Sequence, residues 1–175
     1  MTSGLLAEIL DAHGGPAQWQ RYARVDATIV SGGGFFALKG LVQDSSPRRM
    51  TVWLHEERSS VTPYGAADQR TMFTPDRIAI EKLDGTLVAE RRAPRDSFSG
   101  HQMNTPWDPL HRAYFNGYAL WTYLTTPFLL AMNGVRARRS SRGRRDQRCG
   151  ASCVRTFQGR SRLTVPLRTS ISAPI

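Results

Sequence analysis

Five short stretches of this 175-residue chain carry side chains suited to chemistry, and their spacing tests each of them. His55-Glu56-Glu57 offers a metal ligand or an acid and a base. On a strand, however, His55 and Glu57 share one face while Glu56 points away, and the H-E-x-x-H spacing is absent. A polar strand end facing solvent is the simpler reading. His101 and His111 stand ten residues apart across a proline-rich link. Either can act as a general base, yet no Ser or Cys sits in a recognisable nucleophile elbow. His13, just before Gly14, reads as a helix C-terminal residue interacting with the dipole. Cys149 and Cys153 are spaced C-x3-C with no histidine nearby, which leaves them short of the four ligands of structural zinc. Gly32-Gly33-Gly34 reads as a turn between two strands, without the G-x-G-x-x-G spacing of a phosphate cradle. No catalytic residue, metal site or cofactor emerges.

The remaining candidates are aromatic. Tyr114, Phe115, Tyr118 and Trp121 recur at helical spacing, and Phe36 and Trp53 lie on segments that read as strands. Two readings bury the same six residues: a filled core, or the wall of an apolar cavity. Tyr and Trp favour the cavity, because their O–H and N–H groups suit a partly wet rim.

Elements that position these residues follow from periodicity. The first segment reads as a helix capped by Ser3, with Leu5/Ile9 and Leu6/Leu10 as apolar i,i+4 pairs and Gly14-Gly15 as its stop. Pro16 restarts a short turn carrying Trp19. From Arg24 the period changes to two. Val25, Ala27 and Ile29 share a face; "FFALKGLVQD" alternates as a strand; Met50, Val52 and Leu54 oppose Thr51, Trp53 and His55. "RIAIEKL-DG-TLVAERR" reads as a hairpin closed by Asp84-Gly85 in a type I′ turn, fed by a turn at Thr74-Pro75-Asp76. Such short connections imply an antiparallel meander of five or six strands. Asp108 and Pro109 then start a helix that Pro127 breaks or kinks. Residues 113 to 132 carry no charge, but Asn116, Gly117, the threonines and Pro127 dilute their apolarity, so a buried helix is expected rather than a membrane span. The fold class is α+β.

Charge divides the chain in two. Residues 1–134 hold 13 Lys and Arg against 13 Asp and Glu, whereas residues 135–175 hold 11 Arg and one acid, Asp146. The first part is expected to be a β-rich domain and the second a basic, disordered or aberrant tail. Arg136, Arg138, Arg139, Arg142, Arg144, Arg145 and Arg148 would bind nucleic acid non-specifically through its phosphates. Pro166 confines "RLTVPLRTSI" to a sheet edge or a non-strand.

"AHGGPAQWQRY", which ends the first helix and leads straight into a strand, resembles the start of outer-membrane lipoprotein carrier and lipoprotein-sorting proteins. "YFNGYALWTYLTTPFLL" is similar to the later helix of an uncharacterised bacterial group with that fold. The resemblance covers residues 1–134. It implies a curved, half-barrel antiparallel sheet whose concave apolar face holds acyl chains beneath helices. The tail departs from that group, which continues W-x-x-L-x-x-x-F-P-x-x-I-x-T-H-S and then F-Y-F. Codons for residues 149–174, read one register over, can encode "WGVLRANFPGSIATHSSITDFYFGPD", which points to a frameshift between Gly134 and Cys149.

Three function classes follow. A non-enzymatic carrier or binding domain for an apolar ligand, a lipid or acyl chain, comes first. A small basic nucleic-acid-binding protein acting through the tail is the second, and a hydrolase or isomerase using the cavity the third. The N-terminal residues lack the features of a secretory signal, so a cytoplasmic location is expected.

Overall fold

The computed structural model describes residues 4–42 and 45–132, together with the backbone of Ser170–Ser172. Two helices open the chain, α1 (Gly4–Ala12) and α2 (Gly15–Trp19). They are followed by β1 (Arg24–Ile29), a short helix α3 (Gly34–Leu38), and β2 (Arg48–Trp53). Next come β3 (Arg58–Thr62), β4 (Gln69–Thr74), β5 (Arg77–Lys82) and β6 (Leu87–Arg92). A 3₁₀ turn over Pro94–Phe98 leads to α4 (Pro109–Thr125) and a second 3₁₀ turn over Phe128–Ala131. Ser170–Ser172 form β7. The strands make one open antiparallel sheet in the order β6-β5-β4-β3-β2-β1-β7, the expected meander with a three-residue strand added beside β1. That addition places part of the tail at the sheet edge. An edge strand offers unpaired N–H and C=O groups to any segment that reaches it. The rest of the tail, including both cysteines and the seven arginines named above, lies outside the described residues.

Register decides which side chains share a face. One row runs Val25, Val52, Ser59, Phe73, Ile78, Arg91 across six strands. This face carries α4. Met50, Val52 and Phe73 are fully buried on it, and Trp121, Leu120 and Leu124 pack from the helix side. Gly117 permits the close approach: a β-carbon there would stand 2.5 Å from Phe73 Cγ. Ser59 Oγ donates to the Gly117 carbonyl at 3.2 Å, so this buried hydroxyl is satisfied where helix and sheet touch. No helix among the described residues is long and apolar enough to cross a membrane.

Four local expectations are corrected. "FFALKG" is helical over Gly34–Leu38 rather than a strand. Gly40 stops it in a left-handed conformation (φ 71°), with Gly40 N–H donating to the Ala37 carbonyl and Leu41 N–H to that of Phe36, a Schellman ending. Consequently the glycine run lies before a helix, not between two strands. The Asp84-Gly85 turn has a positive φ only at Gly85 (92°). Gly85 N–H donates to the Lys82 carbonyl and Lys82 N–H to that of Thr86, a type I turn with a glycine bulge rather than type I′. Leu54–Glu57 is the β2–β3 turn, so the His55-Glu56-Glu57 triplet is not on a strand. Finally, Leu5 and Ile9 of α1 are exposed. Leu10 of the other expected pair is buried, and Trp19 and Tyr22 pack against the core cluster as well.

Candidate functional site in an aromatic cleft

The N-terminal half of α4 is held from three directions. Asp108 caps it by accepting from His111 N–H at 2.8 Å, while Asp108 N–H donates to His111 Nδ1 at 3.3 Å. Arg91, an inward-pointing residue of β6, forks onto the same carboxylate, with Nη2 at 2.6 Å and Nη1 at 3.4 Å. Burial alone would raise the Asp108 pKa. Hydrogen bonds from Arg91 and from His111 N–H more than offset that and hold it below the ordinary value. Tyr64 O–H donates to the Pro109 carbonyl at 2.6 Å, and burial pushes its phenol up to about 12. His111 Nε2 lies 3.3 Å from the Ser97 carbonyl. Both ring nitrogens thus face protein groups, Nδ1 the Asp108 cap and Nε2 the Ser97 carbonyl, rather than a substrate. His101 meets Phe98 edge-on and lies tilted against His111, at centroid distances of 5.5 and 4.9 Å. His13 Nδ1 stands 2.8 Å from the Ile9 carbonyl, the expected helix-terminal role.

Against this fixed helix end three short segments close a cleft of about 290 Å³. Its lining is Phe35 from α3, Arg95 and Phe98 from the first 3₁₀ turn, Trp107, and Tyr114, Phe115 and Tyr118 from α4. Ring contacts knit the wall: Trp107 meets Phe35, Phe98 and Phe115 at centroid distances of 5.3, 5.4 and 5.2 Å. Lys39 is buried behind it, with Nζ 5.1 Å from the Trp107 ring and donating to the Gln102 carbonyl at 2.8 Å. Its charge is thus spent on the wall, by cation–π attraction. Phe35, Phe115 and Tyr118 are 39, 36 and 50% exposed, so the cleft opens to solvent. Burial raises the Tyr114 phenol pKa, with Arg95 opposing, which keeps it a neutral hydrogen-bonding group near pH 7. The turn bearing Arg95 and Phe98 starts from Ala93, the one non-glycine residue at positive φ (44°) among those described. Such a conformation persists only where the surroundings impose it.

Of the six expected aromatic residues, Tyr114, Phe115 and Tyr118 line this cleft. Phe36 is buried next to it, edge-on to Phe115 with Arg112 over its ring. Trp121 lies in the core beneath β2, its Nε1–H donating to the carbonyls of Trp53 and Glu56 at 2.9 and 2.8 Å. Trp53 is on the opposite face of the sheet, under Arg58 at 4.2 Å. Alternation along β2 dictates this: Met50, Val52 and Leu54 take the helix side, so Trp53 cannot. Phe35, Arg95, Phe98 and Trp107 were missed because they come from three separate short segments without periodic signal. The Trp53 side holds a second, larger groove of about 510 Å³, mixed in character: Arg24, Arg49, Arg58 and Arg70 line it with the hydroxyls of Thr51, Ser60 and Thr62 and the apolar Trp53, Met72 and Leu83.

Fold and site together define an α+β domain: an open antiparallel sheet shut on one face by an aromatic helix, with a cleft beside that helix. Compared with protein families, curated proteins and solved structures, the chain matches none. Among the described residues no group of three or more His, Cys, Asp or Glu could hold a metal ion.

Proposed function

We infer that the domain binds a small apolar ligand, an acyl chain or a single ring system, in the cleft beside α4. The observation that carries this reading is the lining: six aromatic rings and a single charged group, Arg95, around space left unfilled. At about 290 Å³ the cleft stands at the small end of ligand pockets, which suits one short chain and not a two-chain lipid. Burying about ten methylenes gives roughly 8 kcal/mol, at roughly 0.8 kcal/mol each. Association costs at least about 4 kcal/mol, which leaves affinity for bare hydrocarbon near millimolar. Contact with the rings and Arg95 would raise it. This reading also fits the resemblance to lipoprotein carriers, although the cleft lies at one end of α4 rather than along the whole sheet. Carrier binding is favoured over hydrolysis or isomerisation because His111, in the first turn of α4, has both ring nitrogens engaged by protein groups.

Titration of delipidated protein with dodecanoate, followed by tryptophan fluorescence, tests it. Saturable binding is expected, and Phe115→Asp, at a half-exposed position, should abolish it while leaving the fold intact. Equal binding by the variant would remove the cleft as the site.

A further inference from the structure

The 3₁₀ turn Pro94–Phe98 brings the one charged side chain of the aromatic cleft, that of Arg95, to its wall. Ala93 enters the turn at φ 44°, and its N–H donates to the Asp76 carbonyl at 2.9 Å. Pro94 is buried, and its carbonyl accepts from Ser97 Oγ at 2.6 Å. The Ser97 carbonyl faces His111 Nε2 at 3.3 Å, and Phe98 packs on Trp107 and His111 at centroid distances of 5.4 and 4.8 Å. One end of the turn is thus tied to the sheet and the other to α4, which gives Arg95 a defined place between them. Arginines on the preceding strands are paired with carboxylates: Arg77 and Arg92 with Glu90 at 2.6 and 3.3 Å, and Arg91 with Asp108 at 2.6 Å. Arg95 is exposed and has no ion pair or hydrogen bond among the described residues, although Asp96 follows it in the chain. The hydroxyls of Tyr114 and Tyr118, the two phenols of the cleft, have no hydrogen-bond partner among those residues either. These groups are close enough to act on one another. After burial, Arg95 is the largest influence on the Tyr114 phenol and lowers its pKa, while Glu57, Tyr118 and Asp76 raise it.

Given that the cleft is the ligand site, as inferred above, we propose that its ligand is a monocarboxylate, with the apolar body against the rings and the carboxylate bound by the Arg95 guanidinium. A guanidinium meets a carboxylate through two parallel N–H···O bonds, a geometry that an ammonium lacks. The Tyr114 and Tyr118 hydroxyls are further donors on the same wall. One guanidinium balances one negative charge, and the carboxylates of Glu57 and Asp76, which also act on Tyr114, oppose a second. A singly charged head is therefore preferred over a phosphate monoester, whose charge at pH 7 is about −1.5 to −2.

Octanoate and 1-octanol share a chain and differ in the head. Each is titrated into the ¹⁵N-labelled full chain and followed at the Trp107 indole N–H. Both should bind saturably to the wild type. In Arg95→Gln octanoate is expected to bind about tenfold more weakly, while octanol changes by no more than about twofold. Arg21→Gln, which removes an exposed charge outside the cleft, should leave both affinities within about twofold. Equal weakening of the two ligands by Arg95→Gln, or no weakening of octanoate, would overturn carboxylate recognition while the cleft remained the site of the chain. Equal losses of octanoate affinity in Arg95→Gln and Arg21→Gln would reduce the effect to net charge and overturn it too. If neither ligand moves Trp107 in the wild type, the cleft itself fails as the ligand site, and the head-group assignment falls with it.

Discussion

The two faces of one sheet differ in almost everything the same strands can vary. Toward α4 the rows read Val25-Val52-Ser59-Phe73-Ile78-Arg91, nearly all of it buried. On the other side Arg24, Arg49, Arg58 and Arg70 line a groove together with hydroxyl and apolar side chains, and the buried Asp26 pairs with Arg24 and Arg49. Alternation with a period of two lets a strand serve both faces at once. The helix side gains cohesion from area removed from water, and the open side is free to carry charge because it contributes little to that cohesion.

Substitutions on the two faces should therefore differ in size. The largest loss is expected for Phe73→Ala, which empties the site beneath Gly117: about 3–5 kcal/mol by urea denaturation. Below it ranks Asp108→Ala, which removes the α4 cap and the Arg91 fork at the sheet's far edge, at about 1–2 kcal/mol. Asp108 also supplies a pH signature. Its folded pKa lies below the unfolded value near 3.8, so its stabilisation is fully present above that value and is lost as pH falls through the folded pKa. Between pH 5 and 8 its contribution is flat. Acid titration of wild type and Asp108→Ala should show the gap between them closing only below about pH 4. The smallest effect belongs to the open face: Arg49→Gln, at a side chain 67% exposed, should cost under about 0.5 kcal/mol. A loss there comparable to that of Phe73→Ala would erase the contrast between the faces.

Periodicity carried the sheet and the long helix. Met50, Val52 and Leu54 alternate through enough residues to declare a face, and Asp108-Pro109 with Pro127 bracket α4 by cap chemistry alone. It failed at Gly34–Leu38, where five residues fit both a period of two and one of 3.6. Gly40, the left-handed stop, was the available signal. The cleft was half legible. Tyr114, Phe115 and Tyr118 declare themselves on one helix, whereas Phe35, Phe98 and Trp107 meet only through tertiary contacts between a short helix, a 3₁₀ turn and a loop. Trp53 was assigned to the wrong side through its aromatic character, although the alternation of its own strand assigns it to the open face.

The four tryptophans of the chain report on four environments, and their indole N–H resonances test the central claim most directly. Trp107 lines the cleft, Trp121 lies in the core, Trp19 stacks on Phe128 and Trp53 sits on the open face beneath Arg58. In an ¹⁵N-labelled sample titrated with dodecanoate, the Trp107 signal should shift progressively to saturation while that of Trp53 stays in place. Movement of the Trp53 signal with Trp107 unchanged, or no movement at millimolar ligand, would contradict the account.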